Sequence, residues 1–264
     1  MNETANKVFS LSDPLPVLPV RNTVIFPNTT SPLVVGRAKS IEAVRYAQRA
    51  GDLILVVAQR EGDRNEPEPS DLYQVGVVCL IGKILQSQPT TFQIVANSLF
   101  RFRVDEYRQS AGFLSALGEQ LPDFAPSNRG RTETLANEVK KLGQKILNLL
   151  GVAGSESIVK LLNEAESPEK IADICCSFLS RSVALKQAWL EDRDLENRLA
   201  FLLDELVGEK ERISLQNEIQ ARVMARASKE QRNHYLREQL RTINEELGDE
   251  SDKEDLLKKI EEAK

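Results

Sequence analysis

Leu15-Pro16-Val17-Leu18-Pro19-Val20-Arg21-Asn22-Thr23-Val24-Ile25-Phe26-Pro27 is a nearly unbroken apolar and β-branched run, yet proline interrupts it three times. Proline cannot donate to a β-ladder, so such a run does not fit a central strand. The pattern predicts a strand at a sheet edge or rim, bent at Pro16 and Pro19. It turns at Arg21-Asn22 and re-enters over Thr23–Phe26. A loop follows over Pro27–Pro32, and Leu33-Val34-Val35 forms a second strand. This describes a small, strongly bent β-domain with no catalytic loop.

Outward from this stretch, the chain keeps a period of two up to about residue 122. Leu53–Ala58 reads as a buried strand. Val75–Ile84 and Thr91–Ala96 read as two strands joined at Gln86–Thr90. Phe100–Val104 alternates again, and Phe113–Leu117 follows the turn-like Ser110-Ala111-Gly112. One helix interrupts the set, with Ser40 as its N-cap and Ile41, Val44, Tyr46 and Ala47 on its apolar side. Six or more short strands with one helix predict a rolled sheet or small barrel over residues 1–122.

Pro122–Gly130 marks a boundary, beyond which the period becomes 3.6. Leu135, Val139, Leu142, Ile146, Leu149 and Leu150 mark a helix ended by Gly151, and Ser155–Asn163 a short second one. Ser167-Pro168 pairs an N-cap serine with a first-position proline, a strong start for Glu169–Leu179. Val183–Leu190 follows, and Asp194 opens a helix with Leu195, Leu199, Leu202 and Leu206 at heptad-like spacing. Residues 131–208 thus form a helical bundle. Residues 209–264 form a long arm, with Glu209–Leu247 as one helix of about 58 Å at 1.5 Å per residue. Its apolar stripe is thin, so it is expected to project, pair with a partner or link two bodies. An acidic loop over Asp249–Asp252 and a further helix from about Lys253 complete the reading. A chain that stops inside a charged helix reads as a piece of something longer. The fold class is α+β.

Charge divides along the same boundary. Residues 1–122 hold 12 Lys/Arg and 12 Asp/Glu, whereas the rest hold 23 and 28, so the net charge of −5 lies in the second half. Cys79, Cys175 and Cys176 cannot build a disulfide framework and read as buried thiols in a reducing compartment. No apolar run reaches the roughly 20 residues of a membrane span, and Met1–Ser12 lacks the pattern of a secretory signal. A cytoplasmic protein without membrane contact is expected.

Three anchors stand in order: Leu18–Pro27; Val56-Val57-Ala58-Gln59-Arg60 with Asp71-Leu72-Tyr73-Gln74-Val75-Gly76; and the run Gln231–Gly248, which contains Asn233-His234-Tyr235-Leu236-Arg237-Glu238. Together they resemble the N-terminal region of the Lon ATP-dependent protease family. Gly36-Arg37-Ala38, Lys186-Gln187 and Arg198-Leu199 fall in the same order. The resemblance implies a PUA-like β-fold, a helical bundle and a long helix leading to an AAA+ ATPase module and a Ser–Lys peptidase domain. It also implies a part that selects unfolded or tagged protein substrates and supports a homohexamer of Lon subunits. His234 and Asn233 depart from the family's common tyrosine and acidic residue at these positions.

The residues themselves offer no catalytic site. The nearest match to a phosphate-binding loop, Gly76–Lys83, has its glycines one residue too far apart and Ile84 where a hydroxyl is needed. With His234 as its one histidine, the chain has neither an enclosed triad nor a zinc ligand set. No catalytic residue, cofactor or metal is therefore expected.

Unfolded polypeptide is recognised by exposed apolar side chains and open sheet edges. Leu15, Leu18, Val20, Phe26 and Val95 are the candidates for that contact. Val95 is chosen because it lies on the outward phase of its strand. In the arm, Arg232, His234, Tyr235, Leu236 and Leu240 are the interface candidates. Two weaker readings are a helical oligomerisation scaffold and nucleic-acid contact. The second would use the basic part of the arm, where Ile219–Ile243 carries six positive and two negative charges. The chain's acidity and few aromatics count against it.

Overall fold

The computed structural model describes residues 13–88, 91–110, 112–150 and 155–261. The expected turns at Gln86–Thr90 and Ser110–Gly112, the helix end at Gly151 and the segment Met1–Ser12 lie wholly or partly outside the described residues. Two compact units are present, one reaching Lys210 and the other starting at Glu211.

The first unit begins with β1 (Leu15–Val20) and β2 (Thr30–Val35), followed by α1 (Ala38–Arg49) and β3 (Leu53–Ala58). Then come β4 (Val75–Gln88), β5 (Thr91–Ser110) and β6 (Phe113–Gln120). The sheet order is β2-β5-β4-β3-β1-β6, and β5 also pairs with β6, which closes the sheet on itself. Closure depends on the length of β5. Its first half pairs with β2 and β4, and its second half, Phe102–Ser110, pairs with β6. The expected break between Thr91–Ala96 and Phe100–Val104 is absent, because Asn97 and Ser98 find cross-strand partners in Thr30, Leu80 and Cys79. Gly118 permits the closing contact: a Cβ there would lie 1.9 Å from the Arg103 carbonyl oxygen. Inside the closed sheet, Leu15, Val17, Leu55, Val57, Val78 and Phe102 form a contiguous core.

The opening stretch departs from expectation in two ways. β1 lies between β3 and β6 in the sheet order rather than at its edge, although it pairs with β6 only through Leu15 and Pro16. Thr23–Phe26 is not a strand, yet Val24, Ile25 and Phe26 are buried as irregular chain. The turn at Arg21-Asn22 is as expected, with Asn22 in the left-handed region at φ 54°. The expected loop over Pro27–Pro32 is shorter, because Asn28 at φ 58° turns the chain and β2 already begins at Thr30, taking Pro32 into the strand. α1 also starts earlier than Ser40, with Arg37 at its N-cap, so Ser40 becomes a buried residue of the first turn.

The helical part consists of α2 (Arg129–Leu150), α3 (Ser155–Asn163), α4 (Pro168–Phe178), α5 (Val183–Glu191) and α6 (Leu195–Glu261). Ser167 caps α4 as expected, its hydroxyl accepting from the Lys170 N–H at 3.3 Å. α2 buries Ala136, Val139, Gly143, Ile146 and Leu147, whereas Leu149 and Leu150 are exposed. Leu195, Leu199, Leu202 and Leu206 are all buried. α6 runs through both Gly208 and the acidic run Asp249–Asp252. An interior glycine costs a helix only about 1 kcal/mol, and no proline stands there to stop it.

A buried ionic network joins sheet and helices within the first unit. Arg101 on β5 pairs with Asp173 on α4 and, at 3.5 Å, with Asp123; its Nε donates to the Leu190 carbonyl at 3.0 Å. Arg198, fully buried on α6, grips Asp123 through Nη1 at 3.1 Å and Nη2 at 2.8 Å. Burial presses the Arg198 guanidinium down, but its hydrogen bonds to Asp123 and the charge of Asp173 outweigh that and hold it above its usual value.

Candidate functional site

A cleft opens where β1 and β2 separate. Beyond Pro16 the edge of β1 that faces away from β3 carries no strand, and β2 pairs only with β5 among the described residues. The cleft holds about 460 Å³, with Leu18, Val20, Pro32 and Val34 on its walls and the start of α1 at one end.

Hydrogen-bond phase shows what these edges offer. Along a strand, backbone polar groups of successive residues point to opposite edges. The Val20 carbonyl accepts from Gln59 N at 2.9 Å, so residues 18 and 20 face β3 and Pro19 faces the cleft. On β5, Ser98 bonds toward the start of β2, with Asn28 N to Ser98 O at 3.1 Å and Ser98 N to Thr29 O at 2.9 Å. In the observed register Ser31, Leu33 and Val35 then point their backbone groups at β5, leaving Pro32 and Val34 on the free edge. Each open edge thus places a proline where a donor would be, which blunts strand addition. Contact in this cleft falls to side chains.

Val34 is the most exposed large apolar side chain of the described residues, at 75%. Two exposed aromatics of this unit, by contrast, have partners. Tyr46 packs on Phe113 with ring centroids 4.9 Å apart, and Arg193 lies over Phe124 at 4.1 Å. Sequence reasoning placed Val34 in a strand but not at the site. The signal was there, because Leu33 and Val35 on the buried phase force Val34 outward.

The expected contact residues divide. Leu15 and Phe26 are core, since β1 and the irregular segment after it fill the closed sheet. Leu18 is 3% exposed and reaches the cleft only as part of its floor. Val20 is half-buried and lines the cleft. Val95 is half-buried because β2 covers it, with Pro32 directly opposite. Arg232, His234, Tyr235, Leu236 and Leu240 belong to the second unit and are all exposed, Tyr235 by 63% and Leu240 by 59%.

No group of His, Cys, Asp and Glu suited to a metal occurs among the described residues. The three thiols are buried, and burial pushes Cys175 up to about 12. Cys79 is likewise raised to about 12 by burial, against a weaker opposing hydrogen bond with Ser98. Thiols held so far above neutral pH are not nucleophiles. No helix of the described residues is long and apolar enough to cross a membrane.

The ATP-dependent protease La (LON) substrate-binding domain matches residues 14–208, the span that contains the cleft. The chain is 35% identical over 243 residues to the Lon protease of Desulfovibrio desulfuricans, covering 92% of this chain and 28% of that protein. It is 36% identical over 235 residues to Lon protease 2 of Myxococcus xanthus, covering 89% of this chain and 28% of that one. The chain therefore spans little more than a quarter of the length of these relatives. Among solved structures, the N-terminal domain of the Mycobacterium avium complex Lon protease matches with a TM-score of 0.60 at 22% identity, over 74% of this chain and 98% of that one. This likeness shows the fold, and the α+β reading made from the residues agrees with it. The match over residues 14–208, nearly three quarters of the chain, shows that it belongs to the family of LON substrate-binding domains.

Proposed function

We propose that this chain is the non-catalytic, substrate-selecting part of an ATP-dependent Lon-type protease, acting on unfolded or degron-bearing proteins in the cytoplasm. The peptidase and ATPase chemistry belongs to other parts of such a protein. The carrying observation is the cleft of about 460 Å³ between two proline-blunted strand edges, walled by Val20, Pro32 and an unpartnered Val34. Apolar side chains without a fixed backbone ladder suit a binder of many sequences that must release its client to a motor. Each buried leucine-sized contact contributes roughly 1.5–3 kcal/mol before ordering costs, so two or three give micromolar affinity at best. The test is to titrate this chain into fluorescent reduced and carboxymethylated lactalbumin with no nucleotide present. Micromolar binding, absent for native lactalbumin, is expected, and equal behaviour of the two forms would refute the reading.

The second unit favours a further role, support of hexamer assembly. Tyr235, Leu236 and Leu240 are about half or more exposed on one helix, where a neighbouring subunit could cover them. Sedimentation of the chain against a Leu236→Asp, Leu240→Asp variant tests this, with loss of self-association expected. Nucleic-acid contact is the weaker alternative. Arg222 pairs with Glu218 and Arg241 with Glu245, which spends two of the cations that reading needs.

A further inference from the structure

The end of the cleft nearest α1 is cationic and lacks a counter-ion. Arg21 and Arg37 both line it. Arg21 Nη2 donates to the Arg64 carbonyl at 3.2 Å and to Asn65 Oδ1 at 2.7 Å. Arg37 donates to Gln59 Oε1 at 2.6 Å and to the Pro19 carbonyl at 3.5 Å. All four acceptors are neutral, and neither arginine has an ion pair among the described residues. Three other arginines of this unit, by contrast, hold carboxylates: Arg101 with Asp173, Arg181 with Glu205 and Glu209, and Arg198 with Asp123. Glu66, near the same end, is taken by Lys39 at 2.7 Å. Burial, and then the charge of Arg21, depress Arg37 below its usual value, as expected of two cations sharing one site.

Two further groups converge there. α1 starts at Ala38 with no side-chain cap and no acidic residue in its first turn, so its leading N–H groups and the positive end of its dipole are uncompensated. Ser40, in that turn, is only 5% exposed and lines the cleft, and its hydroxyl has no hydrogen-bond partner among the described residues. The Ser40 hydroxyl thus opens on the cleft beside two guanidinium groups without ion pairs, free to donate to an anion seated there.

The volume is of ligand size, enough for a few residues and too small for a folded partner. Pro19 and Pro32 each remove a donor from one edge, which disfavours a through-running strand held by its backbone. A chain end needs only its own carboxylate and the side chains just before it.

We propose that this cleft takes the free C-terminal carboxylate of an unfolded polypeptide whose last side chains are apolar. The carboxylate meets Arg21, Arg37, the Ser40 hydroxyl and the first turn of α1, and the apolar side chains rest on Val20, Pro32 and Val34. This rests on the reading that the chain binds unfolded protein, and it names which feature of the client is read.

The experiment measures fluorescence anisotropy of a short labelled peptide ending in Val-Leu-Val, as the free acid and as the C-terminal amide. The acid is expected to bind about tenfold or more tightly, the scale of a charge-assisted hydrogen-bond pair. Arg21→Gln and Ser40→Ala should each shrink that difference while leaving the melting temperature near that of the parent, since Arg21 is exposed and Ser40 loses one oxygen. Equal affinity for acid and amide overturns the proposal, as does a difference unchanged in both variants. Inorganic phosphate should displace the peptide only at far higher concentration; displacement at matched concentration would show a general anion site and overturn the assignment to a chain end. Carboxymethylated lactalbumin is titrated in parallel. If it binds while amidation has no effect, only the carboxylate reading fails. If it does not bind, the functional reading fails, whatever the peptide does.

Discussion

Arg101→Met is expected to weaken the first unit more than any surface change, and its cost can be worked from the contacts. Arg101 is 5% exposed and provides three interactions: the ion pair with Asp173, a longer one with Asp123, and the hydrogen bond to the Leu190 carbonyl. Without it, Asp123 keeps both bonds from Arg198, but Asp173 keeps only Asn28 Nδ2 at 3.1 Å among its hydrogen bonds. Asp173 is fully buried, so an acid remains without its cation partner. Breaking a buried pair in this way costs about 3–5 kcal/mol. For a unit of this size each kcal/mol lowers the melting temperature by about 2–4 °C, which gives a fall of roughly 6–20 °C. The chain's one tryptophan, Trp189, is buried beside Leu190 and reports the transition in urea. Adding Asp173→Leu should recover most of the loss, because removing both partners leaves no uncompensated charge. A single-variant loss below about 1 kcal/mol, or a double variant as weak as the sum of the two singles, would refute the reasoning.

Val34→Ser should weaken binding of unfolded lactalbumin by several-fold, about 1 kcal/mol for the apolar surface lost, with unchanged thermal stability; a stability loss without a binding change would remove Val34 from the site. Phe26→Ala should behave in the opposite sense, costing about 3–5 kcal/mol of stability in a urea melt because the ring is fully buried. Ser167→Ala should cost about 1 kcal/mol in the same melt through the lost cap on α4. The thiols of Cys79 and Cys175, held at about 12 by burial, should not react with a disulfide reagent at pH 8 until denaturant is added.

Much of the architecture was legible in the residues because local chemistry set it. Ser167-Pro168 marked a helix start, Asn22 a turn, and the leucines from Leu195 to Leu206 a buried face. What was not legible depends on partners distant in sequence. Thr23–Phe26 has strand composition, but it pairs with no strand and is buried as irregular chain between β1 and β2. β5 continues through Asn97 and Ser98 because β2 and β4 supply partners that a local window cannot contain. Leu15 and Phe26 looked available for contact only because nothing in their spacing shows that the sheet closes over them. The arginine-lined end of the cleft was hidden for a related reason. Arg21, Arg37 and Ser40 are ordinary one at a time, and their lack of acidic partners shows only once the fold brings them to one cavity.

Hydrogen–deuterium exchange with saturating unfolded lactalbumin, without nucleotide, tests the central claim most directly. The account predicts slowed exchange confined to β2, the loop before it and the first turn of α1, where cleft walls and uncapped amides meet the client. Binding that leaves those amides unchanged and instead protects the helices from α2 onward would contradict it.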